Sequence, residues 1–247
     1  MDELFYEIFS NLPRQGPGDR NSTIKAAKVV SNLQHNPSIL DVGCGTGKQT
    51  LELADYFGGK IIAVDNHQPF LDELGLKVIN EGLTDNIDCL NADMLNLPFN
   101  DEQFDIIWAE GSIYNIGFRE GLESFKKMLK PGGYIVVTEV SWLKDSPPQE
   151  LQEFWNQEYP DIKTIDQNLK IISSTDYKLV DHFTLPDSAW LDDYYNPLET
   201  RLKRLRNKYE QEKEALELIE TVQHEIDIFH EFSSYYGYVF YIAQKIT

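Results

Sequence analysis

Three glycines at alternating positions mark the stretch of this sequence best suited to binding a ligand. Gly43, Gly45 and Gly47 follow Asp41, and Cys44 lies between the first two. Glycine has no Cβ, so the chain can turn sharply there and bring its backbone close to a bound group. The residues before the loop are apolar and typical of a buried strand, whereas those after it have helical spacing. A helix that begins at such a loop directs its free N–H groups at the ligand, which favours an anionic group.

Two familiar phosphate-binding loops do not match this pattern. The dinucleotide fingerprint Gly-x-Gly-x-x-Gly requires a glycine where the sequence has Lys48. The P-loop Gly-x-x-x-x-Gly-Lys-Ser/Thr requires a glycine in place of Val42 and a hydroxyl residue in place of Gln49. The pattern that remains is Asp-x-Gly-x-Gly-x-Gly.

Acidic residues end the next two apolar runs. Asp65 follows Gly47 by 18 residues, a spacing typical of the acid that accepts hydrogen bonds from both ribose hydroxyls in nucleoside-binding α/β folds. An alternative is that Asp65 only caps the helix that follows. Asp93 ends the third run and precedes Met94 and Pro98, so it could also be an acid in a simple turn.

These landmarks, together with Lys130-Pro-Gly-Gly133 before a fifth apolar run, resemble the motifs of class I S-adenosylmethionine-dependent methyltransferases. The resemblance is to the small-molecule branch that includes ubiquinone and menaquinone C-methyltransferases. It covers about residues 37–141, and the aromatic-rich remainder resembles an uncharacterised bacterial subgroup of the family. S-adenosylmethionine is therefore the expected cofactor, with S-adenosylhomocysteine as the product.

The resemblance implies an α/β fold, a Rossmann-like seven-stranded and mostly parallel sheet with helices on both faces and a helical lid. The expected strand order is 3-2-1-4-5-7-6, with strand 7 antiparallel. Residues 1–247 would form a single methyltransferase domain, and residues 142–176 and 190–232 would be helical insertions over the substrate side. Residues 1–20 would form an N-terminal lid arm, although packing of this segment on the domain edge is equally compatible with the sequence.

The resemblance also implies roles for individual residues. The glycine loop would lie beside the methionine part of the cofactor, Asp65 on the ribose and Asp93 on the adenine. The residues expected to contact the cofactor are Asp41, Gly43, Cys44, Gly45, Gly47, Asp65, Asn66, Asp93, Met94 and Glu110. The sulfonium methyl is already electrophilic, so positioning an acceptor in line with it can supply most of the acceleration. A base is needed only if the acceptor must lose a proton, and no metal site is expected.

The residues after the fourth strand are the catalytic candidates, namely Glu110 and Tyr114. Aromatic residues near the expected substrate side could stack on a planar substrate or surround a cation, although aromatic residues at helical spacing more often belong to the core. The substrate-side candidates are Tyr6, Trp142, Trp190, Tyr194 and Tyr195. His182 is a weaker candidate, since a histidine on a strand is usually structural.

Composition limits the range of partners. The formal net charge of −19 disfavours nucleic acid, and the Asn/Asp-Pro-Pro-Tyr/Phe motif of base-methylating enzymes is absent after the fourth strand. Two cysteines in apparently buried settings indicate a reducing compartment, and neither a signal peptide nor an apolar run of membrane-spanning length is present. We therefore expect a cytoplasmic monomer or homodimer that acts on a small molecule without a membrane partner.

Two rival functions remain beside methyl transfer. One is a non-catalytic regulatory domain that binds S-adenosylmethionine or S-adenosylhomocysteine, and the other is an NAD-type dehydrogenase. Product formation distinguishes the first from a methyltransferase, and calorimetry with both cofactors distinguishes the second.

Overall fold

A computed structural model describes residues 2–31, 33 and 35–246. The strands are β1 (Ser38–Val42), β2 (Lys60–Asp65), β3 (Ile87–Asn91), β4 (Phe104–Ala109), β5 (Leu129–Trp142), β6 (Lys163–Thr164), β7 (Tyr177–Thr184) and β8 (Tyr236–Lys245). The helices are α1 (Asp2–Phe9), α2 (Arg20–Val29), α3 (Lys48–Phe57), α4 (Gln68–Asn80), α5 (Phe118–Lys126), α6 (Gln149–Glu158), α7 (Ile165–Ser174), α8 (Asp187–Trp190), α9 (Asn196–Lys208) and α10 (Lys213–Phe232). A 3₁₀ turn spans Ile113–Asn115, and a π-helical turn spans Leu191–Tyr195.

All strands belong to one sheet, in the order β3-β2-β1-β4-β5-β8-β7, with β6 paired to β5 outside this path. Strand β8 is antiparallel to both of its neighbours, and the other pairs are parallel. The predicted Rossmann-like fold and strand order are confirmed. The one difference in numbering arises from β6, whose two residues are too few to leave a pattern in the sequence.

The sheet is covered on both faces, as expected for mostly parallel strands. Neighbouring residues of one strand enter different core clusters because successive side chains point to opposite faces. Ile39 packs in the cluster that contains Trp108, and Leu40 packs in the one that contains Ile107. The carboxyl ends of the central strands remain available for a site.

A proline and two glycines lie in the first part of the long strand β5, in the segment Lys130-Pro-Gly-Gly133. Helix α5 already ends at Lys126, and the segment lies within β5. The pairing of β5 with β4 is irregular there, and Gly132 has a left-handed φ of 71°. Gly132 therefore lies in a β-bulge, where its left-handed conformation is tolerated.

After the end of α8, residues 190–232 form the π-helical turn and two helices, α9 and α10. Helix α9 packs against α10 and also against α1 of the N-terminal arm, where the Arg201 guanidinium donates hydrogen bonds to the carbonyl oxygens of Glu7 and Ser10. No helix in the described ranges combines the length and apolarity required to cross a membrane.

Candidate active site

A cavity of about 670 Å³ opens at the carboxyl ends of the central strands. We call one part the glycine end, formed by residues 43–45, 64–67 and 92–95 after β1, β2 and β3. We call the other part the aromatic end. Its residues come from α6, from the segment after β7, from α10 and from β8, and they are Trp155, Glu158, Trp190, Tyr194, Glu225 and Tyr238.

The N–H groups of the glycine loop are largely paired within the protein. Gly43 and Cys44 donate to the carbonyl oxygen of Val64 at 2.8 and 2.9 Å. Gly45 donates to Oδ2 of Asp65 at 2.9 Å. These three N–H groups are therefore not free to bind an anion. The loop instead fixes the carboxylate at the end of β2.

A side chain from the N-terminal arm closes the next part of the loop. Oε1 of Gln15 accepts hydrogen bonds from the N–H and the hydroxyl of Thr46, both at 3.0 Å. Gln15 also lines the cavity, and a Cβ at Gly45 would lie 2.9 Å from Oε1 of Gln15. The arm therefore packs directly on the glycine loop.

Two of the loop glycines leave space for protein neighbours. A Cβ at Gly43 would lie 2.4 Å from Cβ of Ser112, and a Cβ at Gly47 would lie 2.1 Å from Cδ1 of Leu74. Both glycines have φ values in the left-handed region, 73° and 81°. Gly43 lines the cavity, whereas Gly47 lies outside its wall as the N-cap of α3. Direct contact of Gly47 with a ligand is thus not supported.

Asp41 also lies outside the cavity wall. Its side chain is buried, and Oδ2 accepts a hydrogen bond of 2.6 Å from the Thr50 hydroxyl. Burial raises the pKa of Asp41 to about 7. The residue therefore ties β1 to α3 and shapes the loop, in contrast to the direct ligand contact expected from the sequence.

Asp65 faces the loop from the end of β2. Its Oδ2 accepts from Gly45, and its Oδ1 accepts from the N–H of His67 at 2.9 Å. Each carboxylate oxygen can accept a further hydrogen bond. The half-buried carboxylate lines the cavity beside Asn66, so it combines a local role before α4 with an arrangement suited to a diol.

Asp93 and Met94 lie next to each other on the cavity wall after β3. Oδ1 of Asp93 accepts from the N–H of Leu95 at 2.9 Å, which is the turn role considered as an alternative. The side chain is exposed, so this hydrogen bond does not remove its capacity to accept another. Met94 supplies an apolar surface beside it.

A buried ion-pair cluster connects the arm to the end of β4. The Arg14 guanidinium lies 2.9 Å from carboxylate oxygens of both Glu52 and Glu110. Glu110 also accepts from the Thr23 hydroxyl, at 3.2 and 3.1 Å, and from Nε1 of Trp108 at 3.1 Å. Burial raises the pKa of Glu110, although Arg14 opposes this effect. Both oxygens of Glu110 are thus occupied, and the residue holds the arm in place.

The arm also contacts the residues that follow β2. The rings of Tyr6 and His67 stack with their centroids 3.4 Å apart and their planes at 5°. Both line the cavity. Tyr6, expected on the substrate side, therefore lies on the cavity wall against His67 of the glycine end.

The remaining sequence candidates are divided between the cavity and the core. Tyr114, Trp190 and Tyr194 line the cavity. Trp142 lies outside the wall because its strand is paired with β6 and β8 at that point. The buried Tyr195 is also outside the wall and donates to Glu225 at 2.8 Å. His182 lies on β7 away from the cavity.

Several cavity residues were missed in the sequence, including Arg14, Gln15, Ser112, Trp155, Glu225 and Tyr238. For Glu225 a signal was available. Val222 and Phe229 are three residues before and four residues after it, and both are buried, so helical periodicity places this acid on the buried face of α10. An acid on an apolar helix face indicates a functional or paired carboxylate.

Comparison with protein families finds a match to a model described as a methyltransferase domain over residues 39–133. Among curated relatives, the demethylmenaquinone methyltransferase of Staphylococcus saprophyticus is 30% identical over 152 residues, which are 56% of this chain and 63% of that protein. The demethylmenaquinone methyltransferase of Lactobacillus johnsonii is 28% identical and covers 80% of this chain and 83% of its own. A sterol 24-C-methyltransferase of Gibberella zeae is 27% identical over 68% of this chain and only 47% of that protein. The chain thus spans about half to two thirds of the length of two of these relatives.

Solved structures share the fold over nearly the whole chain. A methyltransferase from Geobacter sulfurreducens, in complex with S-adenosylhomocysteine, matches with a TM-score of 0.84 at 17% identity and covers 98% of both chains. The [4+2]-cyclase SpnF matches with a TM-score of 0.78 at 19% identity, over 100% of this chain and 92% of its own. The fold is therefore shared by proteins with different activities.

Proposed function

We propose that this chain, which belongs to the class I S-adenosylmethionine-dependent methyltransferases, transfers a methyl group from S-adenosylmethionine to a small-molecule acceptor by in-line displacement. The observation that carries the proposal is the position of Asp65. Its carboxylate is hydrogen-bonded to the N–H of Gly45, lines the cavity and retains acceptor capacity on both oxygens.

The residues of the glycine end fit the adenosyl cofactor. Asp65 would accept from the two ribose hydroxyls beside Asn66, and a carboxylate suits a diol better than it suits a phosphate. Asp93 would accept from the adenine amino group, while Met94 packs against the ring. Gly43, Cys44 and Gly45 would adjoin the methionine part. When bound, the cofactor supplies a methyl group that is already electrophilic.

The chain's own contribution is then positioning and exclusion of water. An acceptor held at the correct distance and angle reacts with an effective concentration many orders of magnitude above that in solution. The aromatic end faces the same cavity as the glycine end, so it supplies the surface that would hold the acceptor. Tyr114 lies on the wall and remains our candidate for direct contact with the acceptor.

For Glu110 we propose a positioning role in place of the catalytic one. Both of its oxygens are occupied by Arg14, Thr23 and Trp108, so it is poorly placed to take a proton from an acceptor. By anchoring Arg14 it holds residues 1–20 over the cavity. We propose that this arm acts as the lid, and that residues 142–176 and 190–232 cover the substrate side.

The wider setting is also a proposal. The two cysteines are unpaired, which supports a reducing compartment such as the cytoplasm, although Cys89 is exposed where the sequence indicated a buried thiol. A net charge of −19 supports a small-molecule acceptor over nucleic acid. A monomer or a homodimer remains our expectation for the assembly.

The function is tested in two steps. Calorimetry with S-adenosylhomocysteine and with NAD should show binding of the first and none of the second. Methyl-labelled S-adenosylmethionine is then incubated with the protein and a pool of small metabolites, and labelled product should form. Binding without any transfer would identify a non-catalytic binding domain, and binding of NAD alone would identify a dehydrogenase.

A further inference from the structure

The aromatic end of the cavity contains no basic side chain among the described residues that form it. The basic residues that line the cavity are Arg14, Lys48 and His67, which belong to the arm, to α3 and to the glycine end. Arg14 is already paired with two carboxylates. An anionic ligand group would therefore find no opposite charge at the aromatic end.

Carboxylates are present there instead. Glu225 is half-buried on α10, and one of its oxygens accepts from the Tyr195 hydroxyl at 2.8 Å. No described Lys, Arg or His forms an ion pair with Glu225 or with Glu158. Burial, together with the charge of Glu158, raises the pKa of Glu225. A carboxylate withdrawn from water without a cation is unfavourable, and a cationic ligand would offset that cost.

Two tyrosine hydroxyls provide independent evidence for a polar ligand. Tyr194 is 5% exposed and Tyr238 is 9% exposed, and both line the cavity. Neither hydroxyl is hydrogen-bonded to any residue in the described parts of the chain, and neither oxygen is sealed off by protein. Buried hydroxyls are usually paired, so these two are available to a group inside the cavity.

Aromatic rings complete this surface. The rings of Trp190 and Tyr238 lie 5.0 Å apart, and those of Tyr194 and Tyr195 lie 4.8 Å apart. Trp155 adds a further indole to the wall. Aromatic rings attract cations through their quadrupoles, and the attraction is stronger in a site that excludes water.

We propose that the acceptor molecule carries a protonated amine, which binds between the Glu225 carboxylate and the rings of Trp190 and Tyr238. Its N–H groups donate to the free hydroxyls of Tyr194 and Tyr238. An uncharged acceptor such as a quinone would leave the Glu225 carboxylate uncompensated, and a carboxylate or phosphate group would be repelled. This proposal rests on the proposed function, since it assigns the substrate class of the same site.

The test uses the full chain saturated with S-adenosylhomocysteine and two probes of similar shape, 2-phenylethylammonium and the uncharged 2-phenylethanol. Calorimetry should show that the ammonium probe binds at least about tenfold more tightly than the alcohol, which corresponds to a cation–aromatic contact and an ion pair in a partly dry site. Glu225→Gln should weaken the binding of the ammonium probe by about tenfold and leave the binding of the alcohol unchanged.

The matched control is Glu231→Gln, which removes the same charge from an exposed position on the same helix. It should leave the affinity for both probes unchanged, which separates local pairing from the effect of net charge. Equal binding of the two probes, binding of neither, or no effect of Glu225→Gln would overturn the proposal. Failure of S-adenosylhomocysteine itself to bind would instead overturn the proposed function.

Discussion

The glycine end and the aromatic end of the cavity differ in whether their polar groups are hydrogen-bonded within the protein. At the glycine end the loop N–H groups, the Gln15 side chain and the Asp65 carboxylate are hydrogen-bonded to one another before any ligand is added. At the aromatic end the hydroxyls of Tyr194 and Tyr238 have no such partner among the described residues, and the Glu225 carboxylate accepts only from Tyr195.

This difference indicates which part of the cavity is preorganised and which is completed by a ligand. A paired network holds its geometry and loses stability when one member is removed. Polar groups that are withdrawn from water without a partner oppose folding, so their presence indicates another purpose. Substitutions at the glycine end should therefore affect stability and cofactor affinity, whereas those at the aromatic end should affect acceptor binding.

The largest effect is expected from Arg14→Met. This change leaves Glu52 and Glu110 buried without their cation, and breaking a buried pair in this way costs about 3–5 kcal/mol of unfolding free energy. Chemical denaturation measures the loss. Arg20→Met is the matched control, because its ion pair with Asp55 is exposed and its removal should leave the midpoint unchanged. An Arg14 variant as stable as the parent would show that the paired network is not required.

A pH-dependent effect is expected from Glu139→Gln. Glu139 is buried on β5, and burial raises its pKa from the ordinary 4.5 to about 8. The folded protein thus retains a proton that the unfolded chain releases, so stability falls as the pH rises from about 4.5 to about 8. Each unit of pKa difference is worth about 1.4 kcal/mol, so without this group the fall should be smaller by several kcal/mol.

Unfolding free energies measured across that pH range test this expectation. Glu150→Gln removes an exposed carboxyl from α6 and should leave the pH profile as it is in the parent protein. If the Glu139 variant and the parent have parallel profiles, the carboxyl of Glu139 does not titrate as its burial requires.

The cofactor affinity should fall when Asp65 is replaced. Asp65→Ala removes both proposed ribose contacts, and we expect an approximately 100-fold weaker affinity for S-adenosylhomocysteine. Calorimetry measures the change. Asp88→Ala, on the exposed side of β3, should bind like the parent. Unchanged affinity in the Asp65 variant would refute the ribose assignment.

The smallest effect is a difference in stability between variants of two adjacent tyrosines, Tyr194 and Tyr195. Tyr195→Phe removes a hydrogen bond to a carboxylate and should cost about 1–2 kcal/mol of unfolding free energy. Tyr194→Phe removes a hydroxyl that has no partner in the described chain and should change stability by less than about 0.5 kcal/mol. An equal loss in both variants would remove the distinction between paired and unpaired groups.

Local sequence patterns were sufficient to predict most residues of the glycine end. Asp65 and the glycines lie at the ends of apolar runs, and in a parallel sheet these ends converge at one edge. The sequence did not predict two contacts of the loop, because they are made by residues that are distant in the chain. The N–H of Thr46 is paired because Gln15 reaches it from the arm, and Gly47 faces Leu74 of α4.

The residues of the aromatic end could not be predicted from local sequence patterns. Its residues come from five elements between positions 155 and 238, and only tertiary packing brings them together. The aromatic residue types were informative for Trp190 and Tyr194, but the same reasoning included Trp142 and Tyr195, which lie outside the wall. Which aromatic side chains face a cavity depends on strand pairing and helix rotation, and neither can be derived from residue type.

The position of β8 has a consequence for synthesis on the ribosome. This strand is translated after the other seven, yet it is inserted between β5 and β7, and β7 has no other partner in the described sheet. A nascent chain that has not yet produced residue 236 therefore presents two open strand edges, which are the surfaces that chaperones protect from aggregation. Tyr238 belongs to that same strand, so the wall of the aromatic end cannot be completed before β8 has been translated.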